Sequence, residues 1–280
     1  MSVRTSRTWP VALALAAVGL LAPLGSGAAT VAHPKRGIAS ARFLSHDPRV
    51  LTRLGANWAY NWSATAPAAT GPEWVPMVWG SGSVTPSTIA SLQKAHKSGR
   101  AHELLGFNEP DSGGQANMTP ARAAALWPQL QRTGLSLGSP APAVATDGWL
   151  SRFMSLARSR HLRVDFIALH YYQDFTNPGA VPDLRRQLDA IHRKYRMPIW
   201  VTEIGALDIR AWHEPMQAAP TVARAVSYMR RLFAMLDSLP YVKRYAWFTD
   251  TCTSHDCPYS AVLSASARPT RLGSAFRSAR

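Results

Sequence analysis

The chain has 280 residues, 46% hydrophobic and 17% charged, a balance that gives ample apolar surface to bury and excludes a disordered polypeptide. Its 31 Lys and Arg against 16 Asp and Glu give a formal net charge of +15, which raises nucleic-acid binding as a function. The basic residues are scattered, however, and pairs such as Arg185 with Arg186 and Arg230 with Arg231 fall in helix-like segments as solvated outer faces, so no nucleic-acid partner is expected and the charge favours retention near anionic cell-wall material.

Residues 1–32 read as a Sec-type signal peptide and short leader. Arg4 and Arg7 form a basic start, Val11 to Leu24 is apolar, and small residues from Gly25 to Ala32 offer cleavage after Ala28, Ala29 or Ala32. The apolar run is short and Ala-rich for a membrane span, and no later stretch could cross a bilayer. A secreted, extracellular chain with no membrane attachment after cleavage is expected, and a monomer. Residues 33–280, about 250 positions, have the size of one barrel domain.

From there short β-branched or aromatic runs alternate with helix-like stretches, the βα pattern of a parallel sheet. The strand candidates are Arg36 to Ala39, Asn57 to Trp62, Trp74 to Trp79, Glu103 to Phe107, Ser136 to Ser139, Val164 to His170, Ile199 to Thr202 and Arg244 to Phe248. The helix candidates are Pro86 to Lys97, Pro120 to Thr133, Trp149 to Arg160, Pro182 to Arg196 and Ala219 to Ser238, several of which begin near Pro or after Ser, Thr or Asp. A Rossmann fold would need a Gly-rich turn after an early strand, and Gly80-Ser81-Gly82 follows the third strand without the rest of that fingerprint. The expected class is therefore α/β, a single-domain (β/α)8 TIM barrel.

In such a barrel the strand ends carry the chemistry. The polar or aromatic residues placed there are Asn61, Trp79, Asn108 with Glu109, His170 with Tyr172, Thr202 with Glu203, and Trp247 with Asp250. The segment Leu104-Leu105-Gly106-Phe107-Asn108-Glu109-Pro110 is a strand that runs into a carboxylate and a proline that stops the ladder. Pro198 to Gly205 ends the same way at Glu203. The two glutamates lie about three βα units apart, on strands four and seven, across a barrel from one another. That arrangement can bring the carboxylates to about 5 Å, where one attacks an anomeric carbon while the other protonates the leaving oxygen. Ten tryptophans supply the apolar faces on which pyranose rings stack. Trp79 and Trp247 are the expected platforms; Trp212, in the long loop after strand seven, could reach a subsite, and Trp62 is a further candidate. Trp74, Trp127, Trp149 and Trp200 are expected to be packing residues. Cys252 and Cys257 follow the last strand as Cys-Thr-Ser-His-Asp-Cys and are expected to close a short disulfide loop. His255 and Asp256 between them raise a metal site, but four ligands within six residues make poor geometry and none is expected; two-carboxylate hydrolysis needs no cofactor, so none is expected either.

Five motifs in order carry a family resemblance: Gly-Phe-Asn-Glu-Pro-Asp at 106–111, Gly-Ser-Pro-Ala at 138–141, Asp-Phe-Ile-Ala-Leu-His-Tyr-Tyr at 165–172, Trp-Val-Thr-Glu-Ile-Gly at 200–205 and Tyr-Ala-Trp-Phe at 245–248. From about residue 36 to residue 265 the chain resembles glycoside hydrolase family 128, the glycosyl hydrolase catalytic core group that includes the fungal alkali-sensitive-linkage proteins. The resemblance implies a clan A barrel, retaining chemistry and β-1,3-glucan as substrate. It makes Glu109 the acid/base and Glu203 the nucleophile, places Asn108 on the sugar 2-hydroxyl, and has His170 and Tyr172 orient the nucleophile or the sugar. The expected function is a secreted endo-β-1,3-glucanase. Hydrolysis of another β-glycan such as mixed-linkage glucan, xylan or mannan, and glucan binding without catalysis, are the alternatives.

Overall fold

A computed structural model describes residues 34–252 and 254–279, so the leader read at 1–32 lies outside the described residues. In chain order the elements are β1 (Arg36–Ala39), α1 (Phe43–His46), α2 (Arg49–Leu54), β2 (Trp58–Tyr60), β3 (Glu73–Trp74), α3 (Pro86–Lys97), β4 (Glu103–Leu104), α4 (Pro120–Gln131), β5 (Ser136–Leu137), α5 (Trp149–Ser159), β6 (Ile167–Tyr171), α6 (Ala180–Tyr195), β7 (Ile199–Ile204), α7 (Val222–Ser238), β8 (Val242–Phe248) and α8 (Arg271–Ser278). Thr85, Thr119, Thr221 and Thr270 start α3, α4, α7 and α8, each accepting a backbone N–H of its first turn. The short α1 and α2 and the terminal α8 have no counterpart among the segments expected from sequence. Among the described residues no helix is long and apolar enough to cross a membrane.

All strand pairs are parallel. Six strands form one sheet in the order β3-β2-β1-β8-β7-β6, and β4 and β5 pair separately. Single bridges flank that pair, Met77 with Leu105 on one side and Gly138 with Phe166 on the other. Alternation along the strands sorts the side chains into two apolar layers. Ile38, Ala59, Ile167, Val201, Tyr245 and Trp247 pack in the large cluster shared with the helices. Ala39, Trp58, Tyr60, Ala168, Trp200 and Ala246 form the other cluster, on the opposite face of the strands. The tryptophans expected to pack, Trp74, Trp127, Trp149 and Trp200, are all buried.

One irregularity in this alternation matters for function. Leu169 of β6 pairs with Val201 of β7, but His170 pairs with Glu203, which makes Thr202 an extra residue. Trp200 faces the inner cluster and Val201 the helices. An unbroken strand would turn Glu203 toward the helices as well; the inserted residue turns it inward. Directly after β7, Gly205 runs so close to β8 that a Cβ there would sit 2.4 Å from the Phe248 carbonyl oxygen, which excludes any larger residue.

The first and last strands are tied at both ends. At the C-terminal end, buried Asp250 accepts hydrogen bonds from Ser40 Oγ (2.6 Å), Ala41 N (2.9 Å), Arg42 N (3.1 Å), Phe43 N (2.7 Å) and Thr251 N (2.7 Å). At the other end, buried Arg36 lies over the Phe233 ring at 4.6 Å and donates to the Phe276 and Ala279 carbonyls, holding the end of α8 against β1. Near the N-terminal ends of the strands, Arg244 contacts Glu73 at 2.9 Å and Glu103 at 3.4 Å and stacks over Trp200. Burial pushes the Glu103 carboxyl up to about 7, with Arg244 opposing and the hydrogen bond and charge of Glu73 adding to the rise.

Two outcomes follow for stability. Replacing Asp250 by Ala strands its buried N–H donors, and chemical denaturation is expected to show a loss of roughly 3–5 kcal/mol. Glu103 binds its proton more tightly folded than unfolded, so its contribution is fully present below the unfolded value and is lost as pH rises through about 7. The difference in unfolding free energy between wild type and Glu103→Gln is therefore expected to change by roughly 1–2 kcal/mol across that interval, with the variant gaining as pH rises.

Candidate active site

A cleft of about 850 Å³ opens at the C-terminal ends of the strands. Its lining includes Trp62 after β2, Trp79 after β3, Asn108 and Glu109 after β4, Tyr172 and Gln173 after β6, Glu203 on β7 and Phe248 at the end of β8. The loop that follows β7 adds Leu207, Ile209, Trp212 and Glu214, and the loop after β8 adds Asp256. Two lining residues, Trp62 (φ 56°) and Glu109 (φ 41°), have left-handed backbone, a conformation that side-chain-bearing residues adopt only where the surroundings enforce it.

Glu203 is 5% exposed and lies in a shell of donors. Its Oε1 accepts from Tyr60 Oη (2.8 Å) and Trp62 Nε1 (2.8 Å), and its Oε2 accepts from Tyr172 Oη (2.6 Å). His170, fully buried beneath the cleft, reaches both carboxylates. Its Nδ1 is 2.8 Å from Glu109 Oε1, and its Nε2 is 3.4 Å from Glu203 Oε1 without completing a hydrogen bond. Glu109, His170 and Glu203 present ligand-type atoms within 4.8 Å of one another, so the two carboxylates are neighbours. That group could also hold a divalent cation, although such an ion would share Glu203 oxygens already engaged by three protein donors.

The electrostatics follow from burial and charge. Burial holds the Tyr60 and Tyr172 hydroxyls well above the ordinary tyrosine value, and the Glu203 charge adds to the effect, so both stay protonated as donors. For His170, burial disfavours the charged ring, but the Glu203 charge, with the hydrogen bond and charge of Glu109 and the charge of Asp111, outweighs it and raises the imidazole above its usual value.

Of the residues singled out in the sequence, Trp79, Asn108, Glu109, Tyr172, Glu203 and Trp212 line the cleft, with His170 beneath it. Trp212 stands edge-on to Tyr172, ring centroids 5.9 Å apart. Trp247 does not reach the cleft. The period of two that turns Ala246 inward turns Trp247 to the helices, where it is 0% exposed against Phe233 and donates from Nε1 to the Ser260 carbonyl. Asn61 is likewise turned aside: its Nδ2 bonds Ser45 Oγ at 2.7 Å, and the next residue, Trp62, enters the cleft. Asp250 serves the β1 connection already described. Cys252 and Cys257 are bonded, with Cα atoms 5.4 Å apart, and close the loop that carries Asp256. Tyr60, Gln115, Gln173 and Glu214 are not among the residues that the sequence singles out, and Asp256 stands there only as a rejected metal ligand. For Tyr60 the signal was available, because alternation along β2 puts Trp58, Tyr60 and Trp62 on one face.

An expected outcome concerns His170. Its raised value means that the stability from its charged ring is fully present below the unfolded histidine value and is lost as pH rises through the folded one. By NMR its ring is expected to titrate above an exposed histidine, with Glu203→Gln moving the midpoint down; titration at or below the ordinary value would remove this account.

The family model described as "Glycosyl hydrolase catalytic core" matches residues 40–276. The chain is similar to a GH128 (subgroup I) endo-β-1,3-glucanase from Amycolatopsis mediterranei, solved as a glutamate-to-alanine mutant in complex with laminaripentaose. Identity is 38%, the TM-score is 0.77, and the match covers 88% of this chain and 100% of that one. A GH128 (subgroup II) endo-β-1,3-glucanase from Sorangium cellulosum matches at 27% identity and TM-score 0.73, over 88% of this chain and 98% of that one. Alkali-sensitive linkage protein 1 of Schizosaccharomyces pombe is 30% identical over 203 residues, 69% of this chain and 34% of its own. The chain thus spans about a third of the length of that curated relative. With the matched segment running through β2 to α8 and holding both cleft carboxylates, Glu109 and Glu203, the chain belongs to the glycosyl hydrolase catalytic core family, the group of glycoside hydrolase family 128.

Proposed function

We propose that this chain is a secreted, monomeric, retaining endo-β-1,3-glucanase whose residues 33–280 form one catalytic domain. The observation that carries the reading is the pair Glu109 and Glu203, whose oxygens approach within 4.8 Å at the base of an aromatic-lined cleft. That separation suits direct attack on the sugar, whereas an inverting pair would need room for a water between its carboxylates. The relative from Amycolatopsis mediterranei supports the same substrate, since it was solved in complex with laminari-oligosaccharides both without a named mutation and as mutants at two different glutamates. The bridges Met77–Leu105 and Gly138–Phe166 support reading the two sheets as one closed (β/α)8 barrel.

In this mechanism a Glu203 oxygen attacks the anomeric carbon as the glycosidic bond breaks, and Glu109 gives its proton to the departing oxygen. His170 occupies Glu109 Oε1, which leaves Oε2 for the leaving group. The Tyr60, Trp62 and Tyr172 donors fix the nucleophile's orientation before attack. Glu109, then ionised, takes a proton from water, which attacks the same carbon, releases Glu203 and returns the β configuration. Asn108 lies beside Glu109 in the lining, where it meets the 2-hydroxyl, and Trp79 and Trp212 offer stacking faces along the cleft.

Digestion of linear β-1,3-glucan followed by NMR is expected to show the β anomer first. Glu203→Gln should lower kcat by about 10³-fold or more. Undiminished hydrolysis by that variant, or an α anomer as first product, would overturn the mechanism. Equal rates on xylan or mannan would move the substrate assignment.

A further inference from the structure

The cleft carries a charge pattern opposite to that of the chain around it. In a polypeptide of net charge +15, the cleft lining holds four carboxylates, Glu109, Glu203, Glu214 and Asp256, and no Lys, Arg or His among the described residues. Arg210, in the loop that carries Glu214, is committed to Asp208 through bonds of 2.7 and 2.6 Å. The two rim carboxylates sit on loops that are tied to each other: Asp208 N donates to the Asp256 carbonyl at 2.6 Å, Glu214 N donates to the Ile209 carbonyl, and Cys257 packs with Leu207 and Ile209. The backbone ties thereby place both carboxylates in the same part of the lining.

Hydrogen-bond accounting points the same way. The Trp62 and Tyr172 donors are consumed by Glu203. Asn108, 3% exposed, spends its Nδ2 on Gln115 Oε1 at 3.2 Å, and its Oδ1 is buried with no partner among the described residues. The donors left in the lining are neutral ones such as the amides of Gln115 and Gln173, which cannot balance a full charge. A ligand suited to this cleft brings donors, as sugar hydroxyls do. A carboxylate, sulfate or phosphate substituent brings only acceptors and meets carboxylates.

We infer that Glu214, Asp256 and the unpartnered Asn108 Oδ1 make the cleft selective for neutral, hydroxyl-rich glucan and exclude β-1,3-glucans bearing anionic substituents. This rests on the hydrolase reading above and adds the charge class of its substrate. The positive outer surface draws polyanions toward the protein, and the acidic mouth keeps them out of the reacting site.

The test uses the full mature chain and three forms of one linear β-1,3-glucan: unmodified, carboxymethylated, and hydroxyethylated to the same degree as an uncharged control of similar bulk. At low salt the hydroxyethyl form is expected to be cleaved with about tenfold or higher kcat/KM than the carboxymethyl form, and salt of about 0.5 M should shrink that ratio severalfold by screening. In Glu214→Gln combined with Asp256→Asn, the carboxymethyl to hydroxyethyl ratio should rise about fivefold. Equal cleavage of the two modified forms by wild type, or a ratio that moves with neither salt nor the double substitution, would overturn the inference. The salt series needs no variant, so a poorly folding double variant leaves it decidable. Failure to cleave the unmodified glucan would instead tell against the hydrolase reading.

Discussion

The arrangement at the cleft hangs on one inserted residue. Thr202 adds a position to β7 that β6 does not match, and by that single step Glu203 faces inward beside His170 and not outward beside Val201. Everything that holds the carboxylate, the Tyr60 and Tyr172 hydroxyls, the Trp62 indole and the histidine beneath, is useful only in that register. A bulge is costly in a sheet, since it leaves a peptide out of the ladder, and here Thr202 Oγ1 recovers a bond to the Leu169 carbonyl at 3.3 Å.

Around that register the protein brings together left-handed backbone and buried polar groups. Trp62 and Glu109 both take left-handed backbone, and both deliver side chains to the same few ångströms. The aromatic groups there serve two purposes. Trp62 and Tyr172 each pack edge-on against Phe248 at 5.8 Å while their polar atoms point to Glu203. An apolar body thus excludes water from a carboxylate that its polar tip keeps satisfied.

Much of this was legible in the sequence. Residues 36–39 and 86–97 form their elements with the expected bounds, because β-branched and capped patterns act locally. Glu109 and Glu203 stood out because a polar residue at a strand end has few reasons to be there. What could not be read depends on side-chain direction. Trp247 shares its strand end with Phe248, and only the parity of β8 decides that the smaller ring reaches the cleft. The bulge at Thr202 has no sequence signature, so the inward turn of Glu203 was inferred from chemistry and not from alternation. Glu214 and Asp256 lie on loops whose course is set by the contacts between Asp208 and Asp256 and around Cys257, none of them local in sequence.

The Asp250 knot has a consequence in time as well as in space. The backbone N–H groups of residues 41–43 find their acceptor more than two hundred residues later, and Arg36 meets the Phe276 carbonyl across 240 residues of chain. A polypeptide made from its N-terminus onward therefore pairs β1 with β2 early but carries the other edge of β1 open until β8 has been made. Until the last strand emerges, that edge is open to other chains, and the same long-range bonds that seal the finished molecule define the interval in which it most needs protection.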